Sequence, residues 1–413
     1  MVTSRERVMD AVAHREPDRV PIDFSGHRSS GIMAIAYRKL KEYLGITSGD
    51  IYVYDFVQQL AIVEPAVMER LGVDTIELGR GFAHEPEDWR DWVLPDGTPC
   101  KIPAFIEPVR ENGGWAVYAP DGTRIAIQKA GSLYFEQTCF PLMDREDEDF
   151  EDLEAAMDKV MWASLGSPPA PIGFDEEGLR TLQAGAEALR ASTDRAILGL
   201  FGGNLMEWGQ FLFRIDRFLM NLAMEPERMH RFLDRLTEIH LENLEAYLSA
   251  VGPSIDIILF GDDLGMQTGP QISPAMYREF FLPRHRRLWQ RAKALSDARV
   301  MLHSCGSVEA YIPDFIDAGL DILQPVQTSA KDMDPAMLKR EYGQDLCLWG
   351  GGCDTQHVLP RGTPEEVAAD VRRRVEILAP GGGFVFQQIH NIMADVPPEN
   401  VVAMFDAVNS NGV

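Results

Sequence analysis

The chain has 413 residues, 45% hydrophobic and 25% charged, an ordinary soluble globular composition with length for one large domain or two smaller ones. A formal charge of −25 argues against nucleic acid and anionic membranes as partners. Five cysteines without framework spacing point to a reducing, cytoplasmic setting. No apolar run approaches the roughly 18 residues of a membrane helix, and the charged, amphipathic start is unlike a signal peptide.

Taken in order, residues 4–13 predict a short helix with Val8 and Val12 on one face, ended by Pro17. Residues 20–24 are expected as the first strand, followed by the small polar loop Ser25-Gly26-His27-Arg28-Ser29-Ser30. Helices are expected at 32–43 and 65–71, and a second strand at 74–78. From about 84 to 149 the texture changes. Residues 92–102 and 115–128 alternate apolar and polar side chains around Asp96-Gly97 and Asp121-Gly122, which are hairpin signals. This stretch reads as an antiparallel insertion between the second and third strands, with the acidic run 144–152 as a solvated loop or helix start.

After Ser192 strands and helices alternate. Strands are expected at 196–201, 255–260, 299–303, 321–324, 346–349 and 384–388. Helices are expected through 208–220 and 226–250, and at 274–295. Thr363-Pro364-Glu365-Glu366 is a capping box with proline at the first helical position, and Pro397-Pro398-Glu399 opens the last helix in the same way. Ser307 is expected to cap a helix carrying Val308, Ile312, Phe315 and Ile316. Eight strands alternating with helices predict a parallel sheet closed into a (β/α)₈ TIM barrel, one domain over 1–413 with the hairpin insertion.

Reactive groups of such a barrel sit on loops at the carboxyl ends of its strands. Those loops carry His27 and Arg28, Asn204, Asp262 and Asp263, His303 and Cys305, Gln324 and Gln327, Cys353 and Asp354, and His390 and Asn391. If the strand runs on to Cys305, His303 and Cys305 share one side of it. With one or two of His390, Cys353 and Asp263 they form a candidate metal site. Two histidines and one cysteine with an open fourth position make a catalytic type of zinc site. The bland alternatives are a buried Cys353 beside the Gly350-Gly351-Gly352 turn, a loop-tip or capping role for Asp262 and Asp263, and a rim hydrogen bond for His390. The remaining histidines, His14, His84, His230, His240, His285 and His357, join no cluster in the sequence.

The chain resembles the uroporphyrinogen decarboxylase superfamily over nearly its full length, most clearly from Phe260 onward. The resemblance rests on Phe260-Gly261-Asp262-Asp263, Gly269-Pro270 and Ser273-Pro274-Ala275-Met276-Tyr277-Arg278-Glu279-Phe280. It continues through His303-Ser304-Cys305-Gly306, Gly350-Gly351-Gly352-Cys353-Asp354, His390-Asn391-Ile392 and Asp395-Val396-Pro397-Pro398-Glu399-Asn400. The superfamily implies a (β/α)₈ barrel and two chemistries: cofactor-free decarboxylation of a tetrapyrrole, and zinc-dependent methyl transfer between corrinoid proteins and thiols. His303-x-Cys305 matches the His-x-Cys motif of the corrinoid-linked coenzyme M methyltransferases. The cysteine those enzymes carry before the Pro-Pro-Glu-Asn-like segment corresponds here to His390. The decarboxylase pattern departs more. Gly26-His27-Arg28-Ser29-Ser30, with one arginine, stands where an arginine-rich loop is expected, and Ile76-Glu77-Leu78-Gly79 replaces Phe-Ser-Asp.

The resemblance therefore implies a zinc-dependent methyltransferase. Zn²⁺ would be held by His303, Cys305 and His390, with Cys353 as alternative third ligand. Asp262 or Asp263 would accept a proton, and His27, Arg28, Asn204, Gln327 and Asn391 would bind substrate. The implied methyl carrier is a corrinoid, on a partner protein or as free cobalamin, with a homodimer as one possible assembly. Decarboxylation of uroporphyrinogen ranks second, and a non-catalytic barrel binding a small molecule or corrinoid protein third.

Overall fold

The computed structural model describes residues 2–146, 149–165 and 172–410, so Asp147 and Glu148 of the acidic run lie outside the described residues. Seven parallel strands form one curled sheet: β1 Thr75–Glu77, β2 Ala196–Gly202, β3 Ile257–Gly261, β4 Arg299–His303, β5 Ile322–Gln324, β6 Cys347–Trp349 and β7 Phe384–Val385. Each pairs with the next in the chain, the order of a TIM-barrel-like sheet. Residues 20–24 lie between its two edges. Asp23 N–H donates to Phe386 O at 2.8 Å, and Asp74 N–H donates to Ile22 O at 2.8 Å. The expected first strand is thus held by single bridges, because Pro21 lacks an N–H and Ser25 turns the chain in the left-handed region (φ 62°).

The alternation within each strand sorts its side chains. Ala196, Leu198, Ile257, Leu259, Met301, Ile322, Cys347, Trp349 and Val385 form an inner cluster, while Ile197, Ile258, Val300, Leu302, Leu323 and Leu348 face the surrounding helices. The first helix, Ser4–Val12, is started by a full Thr3–Glu6 capping box and packs Val8, Ala11 and Val12 on the inner cluster, plugging the end of the sheet opposite the candidate site.

Between β1 and β2, Trp89–Val93 pairs with Pro99–Pro103, and Val109–Glu111, Gly114–Tyr118, Arg124–Gln128 and Glu136–Gln137 form a four-stranded antiparallel sheet. Gly97 and Gly122 turn at φ 87° and 83°, the left-handed conformation that selects glycine.

Two local expectations are corrected. The helix expected through 208–220 is two, Met206–Phe213 and Ile215–Met224, broken at Arg214 (φ 68°), whose guanidinium chelates Asp216 through two bonds of 2.6 Å. Ser307 caps no helix. A 3₁₀ turn at Glu309–Tyr311 leads into Ile312–Ala318, and Ser307 N–H instead donates to Met266 O at 2.9 Å. Strand β4 stops at His303, so Cys305 lies in the loop beyond it.

Candidate metal centre

Although Cys305 lies beyond the strand, the loop brings its thiol back beside the imidazole. Gly306 turns at φ 87°, and a Cβ there would meet the Gly265 carbonyl carbon at 2.4 Å, so only glycine allows the loop to press on its neighbour. Gln327 Oε1 accepts from Gly306 N–H at 2.8 Å, and Asp263 Oδ1 accepts from Cys305 N–H at 2.8 Å. Thus held, Cys305 Sγ lies 3.5 Å from His303 Nε2. His390 arrives from the loop after β7, its ring centroid 5.9 Å from that of His303. One ligand atom from each of His303, Cys305 and His390 lies within 4.8 Å of the others.

A chain of amides fixes which nitrogen of His303 is free. Ser29 O is a backbone carbonyl and only accepts, so Gln387 presents Nε2 to it at 3.1 Å. Gln387 Oε1 then accepts from Gln324 Nε2 at 3.0 Å, which turns Gln324 Oε1 toward His303 Nδ1 at 2.6 Å. An amide oxygen only accepts, so Nδ1 carries the proton and the Nε2 lone pair faces Cys305. Burial lowers the pKa of His303, with Asp263 and Gln324 opposing it. Burial, then the charge of His303, lowers His390 to about 4. Both rings are therefore neutral near pH 7, the form that binds a metal. Burial, then Asp263 and Glu207, pushes the Cys305 thiol up, and a cation beside the sulfur is what would reverse that.

His303 and His390 line a cavity of about 410 Å³. Trp162, Phe174, Phe201, Trp208 and Phe211 form its apolar wall; Arg28, Asn204, Glu207, Asp263, His303 and His390 supply polar groups. Of the expected substrate residues, Arg28 and Asn204 line this cavity, and Arg28 Nη1 lies 3.6 Å from Asp55 Oδ2. His27, Gln327 and Asn391 do not line it. His27 is fully buried, its Nδ1 accepting from Ser29 N–H at 3.2 Å and its Nε2 3.3 Å from Asp23 Oδ2. Gln327 braces the Cys305-Gly306 loop. Asn391 ties two loops, accepting from Gly31 N–H and donating to Gln58 Oε1, each at 3.0 Å.

The two aspartates part company. Asp262 is buried and spends both oxygens on the N–H groups of Met206 and Glu207 at the start of a helix, with His285 Nε2 3.1 Å from Oδ2. Its neighbour Asp263 lines the cavity, 3.5 Å from His303 Nε2. Cys353 is buried among core side chains and outside the His303–Cys305–His390 group, and burial pushes its thiol up. The sequence reading left His240 outside any cluster and did not single out Glu207, yet both line the cavity. His240 lines the cavity and donates through Nε2 to Asn204 O at 3.0 Å. Glu207 sits in the first turn of Met206–Phe213, three residues after Asn204; its signal was an acid just past a strand's carboxyl end.

The profile described as uroporphyrinogen decarboxylase (URO-D) matches residues 204–411. A methylated-thiol–coenzyme M methyltransferase of Methanosarcina mazei is 33% identical over 146 residues, 35% of this chain and 35% of that protein. A uroporphyrinogen decarboxylase of Psychromonas ingrahamii is 26% identical over 188 residues, 45% of this chain and 49% of that protein. These matches span about a third to a half of the relatives' length. The solved structure of a methyltransferase from Methanosarcina mazei superimposes with a TM-score of 0.59 at 16% identity, over 99% of both chains, and shares the fold. Since the profile spans just over half of its residues, the chain belongs to the uroporphyrinogen decarboxylase family.

Proposed function

We propose that this protein is a zinc-dependent methyltransferase that moves a methyl group between a corrinoid and a thiol or related acceptor. The observation that carries the reading is the convergence of His303 Nε2, Cys305 Sγ and a His390 nitrogen within 4.8 Å of one another. Two ligands of one tetrahedral zinc, at about 2.0 Å for nitrogen and about 2.3 Å for sulfur, stand roughly 3.5 Å apart. His303 Nε2 and Cys305 Sγ are at 3.5 Å with the lone pair already turned inward. The donor set fits the ion. The similarity to a methylated-thiol methyltransferase over 146 residues supports the same branch.

Zinc so held would supply a Lewis acid that lowers the pKa of a bound thiol and leaves one position open for it. Asp263, on the cavity side of His303, is placed to take the thiol proton on its carboxylate. The aromatic wall takes the apolar part of the substrate and excludes water.

Metal analysis of the purified protein, followed by turnover of methylcobalamin with candidate thiols, tests the proposal. About one zinc per chain is expected. His390→Ala should lose zinc and activity together, and Cys353→Ala should keep the metal. Methyl transfer by protein stripped of metal, or zinc loss in Cys353→Ala with none in His390→Ala, would overturn it.

The amide chain makes its own prediction. Gln324→Leu keeps all three ligands but removes the acceptor of His303 Nδ1–H, so zinc affinity should fall about 10–100-fold. Competition with a chromophoric chelator reads this directly; unchanged affinity would show that the chain does not orient the ligand.

A further inference from the structure

We propose that the cleft between the two antiparallel sheets that join β1 to β2 is a binding site for a small aromatic carboxylate. The cleft lies outside residues 204–411, which match the family profile, and it shares no lining residue with the metal-centre cavity. The inference goes beyond the methyl-transfer reading and does not rest on it.

Strand register builds the site. In the four-stranded sheet Arg110 stands opposite Trp115, and Trp115 opposite Gln128, so the three side chains form a row on one face. Trp92, from strand Trp89–Val93 of the other sheet, brings its indole to that row, the ring centroids of Trp92 and Trp115 lying 4.3 Å apart at 51°. The Arg110 guanidinium carbon stands 4.0 Å from the centre of the Trp115 ring. Both indoles are half-buried, and with Leu94 they give an apolar lining to a cleft of about 480 Å³. That volume lies within the roughly 300–1,000 Å³ of small-molecule sites.

The polar groups of the cleft select the ligand. Lys129 is paired with Glu136 at 2.5 Å, and Asp91 with Lys101 at 2.7 Å. Arg110 has neither a hydrogen bond nor a carboxylate partner among the described residues, only the ring beneath it. Gln128 is 3% exposed, and its Nε2 has no hydrogen-bond partner. A guanidinium held on an indole keeps its N–H groups as a planar fork, which the two oxygens of a carboxylate match. One cation without a counter-charge calls for one negative charge, and Asp91 in the lining disfavours a second. The indole faces take a flat ring, so the anion is a carboxylate borne on an aromatic group. A carboxylate oxygen beside Trp115 also supplies the acceptor that the Gln128 amide lacks. The metal-centre cavity likewise joins one arginine, Arg28, to an aromatic wall, so the experiment tells the two places apart.

Calorimetric titration of the full-length protein with 1-naphthoate, and with its neutral isostere 1-naphthalenemethanol, tests the site. Naphthoate should bind about 10–100-fold more tightly than the alcohol, the range for hydrogen bonds to a charged group. Arg110→Leu should bring naphthoate down to the affinity of the alcohol. Arg110→Lys, which keeps the charge without the fork, should fall between. Arg110 is exposed, so both variants should fold, and circular dichroism checks this. Trp92→Leu, which removes one ring face, should weaken both ligands alike. Naphthoate bound no more tightly than the alcohol, no binding at millimolar concentration, or unchanged affinity in Trp92→Leu would overturn the proposal. So would loss of binding in Arg28→Leu with none in Arg110→Leu, which would put the acid in the metal-centre cavity. None of these readings involves turnover, so failure of the methyl-transfer reading would leave them as they are.

Discussion

A variant carrying His303→Ala and Cys305→Ala will purify without stoichiometric zinc and without methyl-transfer activity. Removing both leaves His390 as the sole member of the group, and one imidazole holds zinc poorly against water and buffer. The fold should survive. His303 sits at the strand end and Cys305 in the loop beyond, and neither belongs to the hydrophobic clusters. The loop keeps its backbone bonds to Asp263 and Gln327. Gln324 Oε1 loses its donor, a cost of about 1–3 kcal/mol. Elemental analysis alongside circular dichroism separates the two effects. Zinc retained at one per chain by the double variant, with an unchanged spectrum, would place the metal elsewhere.

The second large effect is on stability. Asp23 is completely buried where residues 20–30 meet β1 and β6. Its carboxylate accepts from Gly26 N–H at 2.9 Å, Ser30 Oγ at 3.1 Å, Thr75 Oγ1 at 2.7 Å and Trp349 Nε1 at 2.9 Å, with His27 Nε2 at 3.3 Å. Asp23→Ala strands these donors in the core, and we expect a loss of about 3–5 kcal/mol in denaturant unfolding. Burial acts to raise the Asp23 pKa, but His27, Thr75 and Trp349 outweigh it, so the folded pKa lies below the usual value. A depressed carboxyl stabilises the fold fully above its unfolded pKa of about 3.9, and the contribution is lost as pH falls through the folded value. The acid limb of the stability profile should therefore flatten in Asp23→Ala. A variant as stable as wild type at neutral pH would show that Asp23 does not tie residues 20–30 to the sheet.

The elements readable from the residues alone were those set by near neighbours. Strand Arg299–His303, helix Pro65–Leu71 and the capped helix after Thr363 stand where period, proline and capping placed them, because those signals act within a few residues. The parallel order of the sheet followed from the alternation of strands and helices, and the pair His303 and Cys305, with His390, Cys353 or Asp263, from places after strands whose carboxyl ends share one mouth; the family resemblance singled out His390 among the three. Tertiary packing decided the rest. Whether a loop side chain faces the cavity or the core depends on contacts far away in the chain. His27 turns inward to Asp23, and Asp262 turns to a helix start 55 residues earlier, while Asp263 faces the cavity. The free nitrogen of His303 is set by Gln324 and Gln387, which lie 63 residues apart. Burial, then the charges of Asp263 and Asp262, raises the pKa of Glu207, and none of these is visible around it in the sequence. A residue's type is local; its protonation and its direction belong to the groups that folding brings beside it.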